Sequence, residues 1–268
     1  MTDAPAAPDG TGGPVLAVDV GNTNVCLGLL EGREMRASWR IRTDPGQTED
    51  EFTITLAQLL STSESPVGRI AGAVVASVVP PLTDVVIAGI RKRTPGPLFV
   101  VGPGLRTGIT IRTDNPREVG ADRIVNAVAA SEIAPGGAIV VDLGTATTLD
   151  CISPHCEYLG GVIAPGITIS AEALFRRAAK LPKVTIGRPR RVLGKNTELS
   201  MQSGLFYGYV SLIDGLVDRL AEEMGFTPQV IATGGHAAAL ADASRTITRV
   251  EPDLTLLGLA IIWQRNRG

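Results

Sequence analysis

The sequence has no uninterrupted apolar run approaching the roughly 18–20 residues that cross a bilayer, which excludes a helical membrane anchor. It also lacks an excess of either charge: the net charge is -2, so no electrostatic footprint for nucleic acid is expected. Cysteine is scarce. Cys26, Cys151 and Cys156 cannot make a disulfide framework in a chain of 268 residues, which points to a reduced, cytoplasmic protein. Cys151-x-x-x-His155-Cys156 lacks a fourth ligand and has irregular spacing, which argues against zinc. Residues 1–13, rich in Ala, Pro, Gly and Asp, have neither a basic n-region nor an apolar h-region. They are expected to be a disordered leader rather than a signal peptide.

Apolar residues make up 44% of the chain, enough for a sizeable core in one large domain or two ordinary ones. Two stretches are near copies: Val15-Leu16-Ala17-Val18-Asp19-Val20-Gly21-Asn22-Thr23-Asn24 and Ala138-Ile139-Val140-Val141-Asp142-Leu143-Gly144-Thr145-Ala146-Thr147. Each is a buried strand delivering a carboxylate to a tight, glycine-permitted turn, and each is followed by another apolar strand. The expectation is a duplicated fold in which each half opens as a β-hairpin and presents an Asp for phosphate chemistry.

The first half reads as strands at 14–20, 25–31 and 34–41, then a helix over 48–61 with Thr48 and Glu51 as a capping box. A buried strand at 71–79, a helix from Pro80 to about Arg93, a strand at 98–101 and a helix over 118–133 follow. Pro135-Gly136-Gly137 is the strongest breaker, so the expected domains are 14–136 and 137–268. The second half repeats with strands at 138–142, 146–152 and 158–164. Helices are expected at 168–179, about 197–224 and 253–264, with a strand at 230–233. Strands leading, then strand–helix alternation, define an α/β chain with mixed sheets in two related domains. The basic residues Arg176, Arg177, Lys180, Lys183, Arg188, Arg190, Arg191 and Lys195 cluster between two helices, as a solvated loop or as an anion-handling segment.

Two nucleotide motifs are near misses. Gly194-Lys195 ends like a P-loop, but the upstream glycine position holds Pro189 and the residue after the lysine is Asn196. Gly102-x-Gly104 is followed by Thr107 and a β-like run rather than a helix. The Asp-x-Gly hairpins are better phosphate candidates: Gly21 and Gly144 admit close approach to the backbone, and Asn22, Thr23, Asn24, Thr145 and Thr147 add hydrogen-bond partners.

Taken together, Asp19-Val20-Gly21-Asn22-Thr23, Gly120-Ala121-Asp122-Arg123 and Asp142-Leu143-Gly144-Thr145-Ala146-Thr147 resemble, in this order, the motifs of type III pantothenate kinases. Gly160-Gly161-Val162-Ile163-Ala164-Pro165-Gly166, Gly194-Lys195-Asn196-Thr197 and Thr233-Gly234-Gly235 resemble further motifs of that family, as do Ser77-Val78-Val79-Pro80-Pro81 and Asp114-Asn115-Pro116. The resemblance runs from Val15 onward. It implies two duplicated, ribonuclease H-like domains of the actin-like ATPase fold and a homodimer. The implied reaction is ATP-dependent phosphorylation of pantothenate to 4′-phosphopantothenate, the first step toward coenzyme A. It further implies that Asp19, Val20, Gly21, Asn22, Thr23, Asn24, Val25 and Cys26 form the first phosphate loop, that Thr145 binds an ATP phosphate, and that the second half carries the adenosine motif. Asp122 is the implied general base, and Gly120, Ala121, Asp122, Arg123 and Thr197 the implied substrate contacts. Asp142 is the implied ligand of a monovalent cation (K+ or NH4+), with Mg2+ accompanying ATP. One position departs. Family members often have Tyr seven residues before Gly120, where this chain has Thr113: the hydroxyl is kept and the aromatic wall is lost. A kinase for another small hydroxy acid, or a non-catalytic regulatory protein on the same fold, are the alternatives; intact Asp19, Asp122, Arg123 and Asp142 argue against the second.

Overall fold

A five-stranded and a six-stranded sheet repeat one another almost strand for strand. The computed structural model describes residues 13–63, 70–178 and 181–267, so nearly all of the leader expected at 1–13 lies outside the described residues, as do residue 179 and Lys180. The first unit reaches Arg106 and includes the chain from Leu259 onward; the second is Thr107–Gly258.

In the first unit β1 (Val15–Val20), β2 (Asn24–Glu31) and β3 (Glu34–Arg42) form an antiparallel meander. The helix α1 (Glu49–Ser61) starts at the expected capping box: Thr48 accepts from the Glu51 N–H, and the Glu51 carboxylate accepts from the Thr48 N–H at 2.8 Å. Strand β4 (Gly72–Ser77) pairs in parallel with β1, and Pro80-Pro81 open α2 (Pro80–Arg91), where a missing N–H costs nothing. A short β5 (Leu98–Val100) completes the order β3-β2-β1-β4-β5. Alternate residues of β1 and β2, with Phe52, Leu56, Leu82, Val86 and Ile90, make a closed core between this sheet and the two helices.

The second unit begins with β6 (Thr110–Ile111) and, after a single 3₁₀ turn, α3 (Ala121–Ile133). Strands β7 (Ala138–Leu143), β8 (Ala146–Ile152) and β9 (Glu157–Pro165) form the second meander. They are followed by α4 (Ile167–Arg177), α5 (Thr197–Met224), β10 (Gln229–Thr233), α6 (Ala237–Ala241) and β11 (Arg249–Val250). The final helix, α7 (Leu254–Asn266), begins in the second unit and ends in the first. The sheet order is β11-β10-β7-β8-β9-β6. One face packs on α5 and α6 through Ile139, Val141, Leu149, Phe206 and Ile213; the other is covered by the alanines of α3. Both meanders are antiparallel, as the hairpin repeat implied.

The units part at Arg106–Thr107, upstream of the Pro135-Gly136-Gly137 breaker, because β6 pairs with β9 and α3 lies against the second sheet. The turn at Gly137 instead joins a helix to a strand within one unit. The short β6 falls in the β-like run expected after Thr107, whereas α6 and β11 are absent from the sequence reading, since two to five residues carry no readable period.

Candidate active site

Strand β7 delivers Asp142 to the turn at Gly144-Thr145, and the carboxylate lands against α3. Asn126, on the buried side of α3, donates to Asp142 Oδ2 at 3.3 Å. The Asn126 amide is itself oriented, because Thr255 at the start of α7 donates to its Oδ1 at 2.7 Å. Asp142 as a residue is half-buried, and protein crowds its carboxyl group. Burial first, then repulsion from Asp122 and Asp150, pushes its pKa up to about 6; the Asn126 bond opposes this. No basic side chain pairs with Asp142 among the described residues. Space is kept beside Oδ1. A Cβ at Gly234 (φ +93) would lie 2.8 Å from that oxygen and 2.7 Å from the Leu143 backbone, and one at Gly144 would lie 3.4 Å from Oδ1. A desolvated carboxylate with two anionic neighbours, one amide donor and open space on its other oxygen suits a cation.

Asp122 and Arg123 open α3, whose N-cap, Gly120, offers no side chain. Asp122 Oδ1 accepts from the Arg123 N–H at 2.8 Å, satisfying an otherwise orphaned donor of the first turn. The half-exposed carboxylate stands where the helix dipole favours negative charge. Arg123 turns inward. Its Nε donates to Asp150 Oδ1 at 2.7 Å, and Nη2 stands 2.7 Å from the same oxygen in an ion pair. Asp150, on β8, is fully buried, while the Arg123 side chain is 18% exposed. The Tyr158 hydroxyl also donates to Asp150 Oδ1 at 2.6 Å, and Thr148 donates to Oδ2 at 3.2 Å. Burial raises the Asp150 pKa, while Arg123, Tyr158 and Thr148 oppose the rise. Tyr158 is raised by burial and by the Asp150 charge, which keeps it a donor. The guanidinium carbon sits 5.8 Å from the Tyr158 ring centroid, within cation–π range.

In the first unit, Asp19 pairs across β1 and β2 with Cys26, and the turn between them carries exposed Asn22 and Thr23. The loop is closed by the Gly21 N–H donating to Asn24 O at 3.0 Å, and pinned by Thr43 at the end of β3. The Thr43 hydroxyl donates to Gly21 O at 2.6 Å, and its N–H to Thr23 O at 3.0 Å. Val20 and Val25 face the core on either side of the turn.

Within the second unit, then, Gly120, Ala121, Asp122, Arg123 and Asp142 gather around the start of α3. Thr145 is exposed at the hairpin tip. Thr197 does not join them: it opens α5, its side chain has no hydrogen-bond partner among the described residues, and it lines a cavity of about 610 Å³ with Ser170, Met201, Leu205 and Tyr209. Lys183, Arg188, Arg190, Arg191 and Lys195 are exposed, and Arg176 pairs with Glu172 one turn away. The sequence reading missed Asn126, Asp150, Tyr158, Thr255 and Thr43. A polar pair at alternate positions of an apolar strand, Thr148 and Asp150, was the available signal.

A repeated meander with a parallel fourth strand, each ending its first strand in a carboxylate, is the frame of an actin-like ATPase. MreB 5 of Spiroplasma citri bound to AMPPNP has the same fold with TM-score 0.55 and 10% identity, covering 94% of this chain and 96% of that one. The ethanolamine utilization protein EutJ from Carboxydothermus hydrogenoformans matches with TM-score 0.57 and 15% identity, over 97% and 92%. The chain belongs to the type III pantothenate kinase family, whose model matches residues 15–219. The type III pantothenate kinase of Anaeromyxobacter sp. (strain Fw109-5) is 53% identical over 94% of this chain and 100% of its own length. That of Syntrophotalea carbinolica is 51% identical over 95% and 100%.

Proposed function

We infer that this protein phosphorylates pantothenate with ATP, giving 4′-phosphopantothenate for coenzyme A synthesis. It is a phosphotransferase with an alcohol group as acceptor. The observation that carries this is full-length identity of about half to pantothenate kinases, joined to a carboxylate and a guanidinium side by side at the start of α3.

Phosphoryl transfer depends mainly on alignment and charge stabilisation, with a base orienting the nucleophile. Asp122 accepts the proton of the primary hydroxyl; its partial exposure and its place in the first turn of α3 support that role. Arg123 binds the substrate carboxylate by charge-assisted hydrogen bonds, supported by Nη1 having no partner among the described residues. Gly120 and Ala121 bring the backbone close to the substrate, and Thr197 contacts it. The loop from Asp19 to Cys26 holds ATP phosphates, with Thr145 supplying a further hydroxyl.

A divalent metal, Mg2+ in this proposal, accompanies ATP and offsets charge on its phosphates. Asp142 is proposed to hold a monovalent cation, K+ or NH4+; its crowded, unpaired carboxylate and the space kept by Gly144 and Gly234 fit such an ion. We further propose a cytoplasmic homodimer. Exposed Ile163, Ile169, Leu174, Phe175 and Leu199, spread over β9, α4 and α5, support an apolar contact face. No helix among the described residues is long and apolar enough to cross a membrane.

The test is ADP release measured with pantothenate and a panel of other hydroxy acids, in potassium and in sodium. Turnover with pantothenate in potassium, reduced in sodium, is expected. Preference for another hydroxy acid overturns the substrate assignment, and equal rates in both salts overturn the cation site.

A further inference from the structure

The Arg123–Asp150 pair uses the guanidinium unevenly. Arginine carries five N–H donors in a planar fork, yet among the described residues only Nε makes an aligned hydrogen bond. Nη2 is buried and, although within ion-pair distance of Asp150 Oδ1, has no aligned acceptor. Asp150 is saturated by contrast: Oδ1 takes Arg123 and Tyr158, and Oδ2 takes Thr148. A structural strut would match donors to acceptors, because a buried donor left unpaired costs free energy. Here the acid is satisfied and the base is not.

Geometry fixes where the spare donors lie. Asp150 engages the Nε–Nη2 side of the fork, the Tyr158 ring lies within cation–π range of the guanidinium, and strand β9 is glycine at the point of closest approach. A Cβ at Gly161 would come within 3.0 Å of Nη2. The guanidinium is thus fixed on its Nε–Nη2 side, and Nη1, which has no partner among the described residues, is left for an acceptor.

We propose that Asp150, held by Tyr158 and Thr148, is a positioning residue for substrate recognition: it locks Arg123 so that the guanidinium Nη1 receives the carboxylate of the substrate. The inference rests on the pantothenate reading and assigns the source of its selectivity for an acid. Asp150 touches no substrate. It acts through Arg123, so its loss removes discrimination between a carboxylate and a neutral group at that end of the ligand, while leaving ATP binding alone.

The test uses the full-length enzyme, its Asp150→Asn and Tyr158→Phe variants, pantothenate as substrate, and pantothenol, in which an alcohol replaces the carboxylate, as competitive inhibitor. Asp150→Asn is expected to raise the KM for pantothenate roughly 10- to 100-fold, as freeing one partner of a buried charge pair does. The pantothenol inhibition constant and the KM for ATP stay within about twofold, the expectation for interactions that Arg123 does not make. Tyr158→Phe shifts the same ratio in the same direction by a few-fold, and serves alone should the Asn variant not fold. Equal factors for pantothenate and pantothenol, or an unchanged ratio in either folded variant, overturn the proposal. Failure of the wild-type enzyme to phosphorylate pantothenate overturns the functional reading instead, and is seen without any variant.

Discussion

Asn126 lies one helical turn beyond Asp122 on α3 and donates its amide to Asp142 across the gap to β7. With Thr255 fixing the amide, one oxygen of Asp142 is committed to protein and the other is left to whatever shares the space beside Gly234. The α3 helix thus carries both the proposed base and the support of the proposed cation ligand.

Replacing Asn126 by Leu removes the one donor that favours the charged form of Asp142 and orphans the Thr255 hydroxyl. A stability loss of about 1–3 kcal/mol is expected, the usual cost of unpaired buried polar groups. Urea unfolding measures it. The same variant should need more potassium for half-maximal rate.

Asp142 makes a pH-dependent contribution whose sign follows from its raised pKa. With a folded value of about 6 against the ordinary carboxylate value of 3.8, the unfolded chain ionises first as pH rises. The native state therefore loses stability between about pH 4 and 6, and the penalty is full above that window. It amounts to about 3 kcal/mol at most. In a buffer whose only cation is bulky and organic, Asp142→Asn should melt above wild type at pH 8 and equal to it near pH 4. Parallel melting curves at both pH values would contradict the assignment. Added potassium should narrow the difference at pH 8.

Asp122→Asn should lower turnover roughly 10²- to 10⁴-fold, the range for a lost general base. Because Asn keeps an acceptor for the Arg123 N–H, the thermal midpoint should stay near that of wild type. Near-normal turnover would remove Asp122 from the reaction.

Gly234→Ala places a methyl against the Leu143 backbone and Asp142 Oδ1 at a backbone angle of φ +93. Strain of order 1–3 kcal/mol is expected from the backbone angle alone, with further loss from the displaced β7–Gly144 turn. Ala at Gly235, where a Cβ meets nothing within 4 Å, should be nearly silent. Paired denaturation curves distinguish the two.

Much of this architecture could be read from the chain before any coordinates. The hairpins were legible because each couples an apolar run to Asp-x-Gly, and α1 because Thr48 and Glu51 stand at capping-box spacing. The α5 span expected at about 197–224 matches the helix found, which the structure ends with an Asn196 cap and a left-handed Gly225. The unit boundary was not, because Pro135-Gly136-Gly137 marks a turn, and turns within a unit look like turns between units. Asp150 was not legible as a functional residue either. A single carboxylate in an apolar strand shows its purpose only when strand register puts it beside Thr148 and opposite Gly161, under an arginine from another element. The Thr113 hydroxyl is buried without a partner among the described residues.

The pairing registers of the two meanders also record how the halves diverged. Asp19 faces Cys26 in the first hairpin as Asp142 faces Thr148 in the second, and Ala17 faces Gly28 as Val140 faces Asp150. The two hairpins are equivalent frames, but among the described residues only the second carries the ionic network; the position matching Asp150 in the first is Gly28, which has no side chain to grip with. Transplanting β7–β8 into the place of β1–β2 should preserve strand pairing and yield a protein with two acid-bearing hairpins. Only the hairpin beside α3 would still meet Arg123.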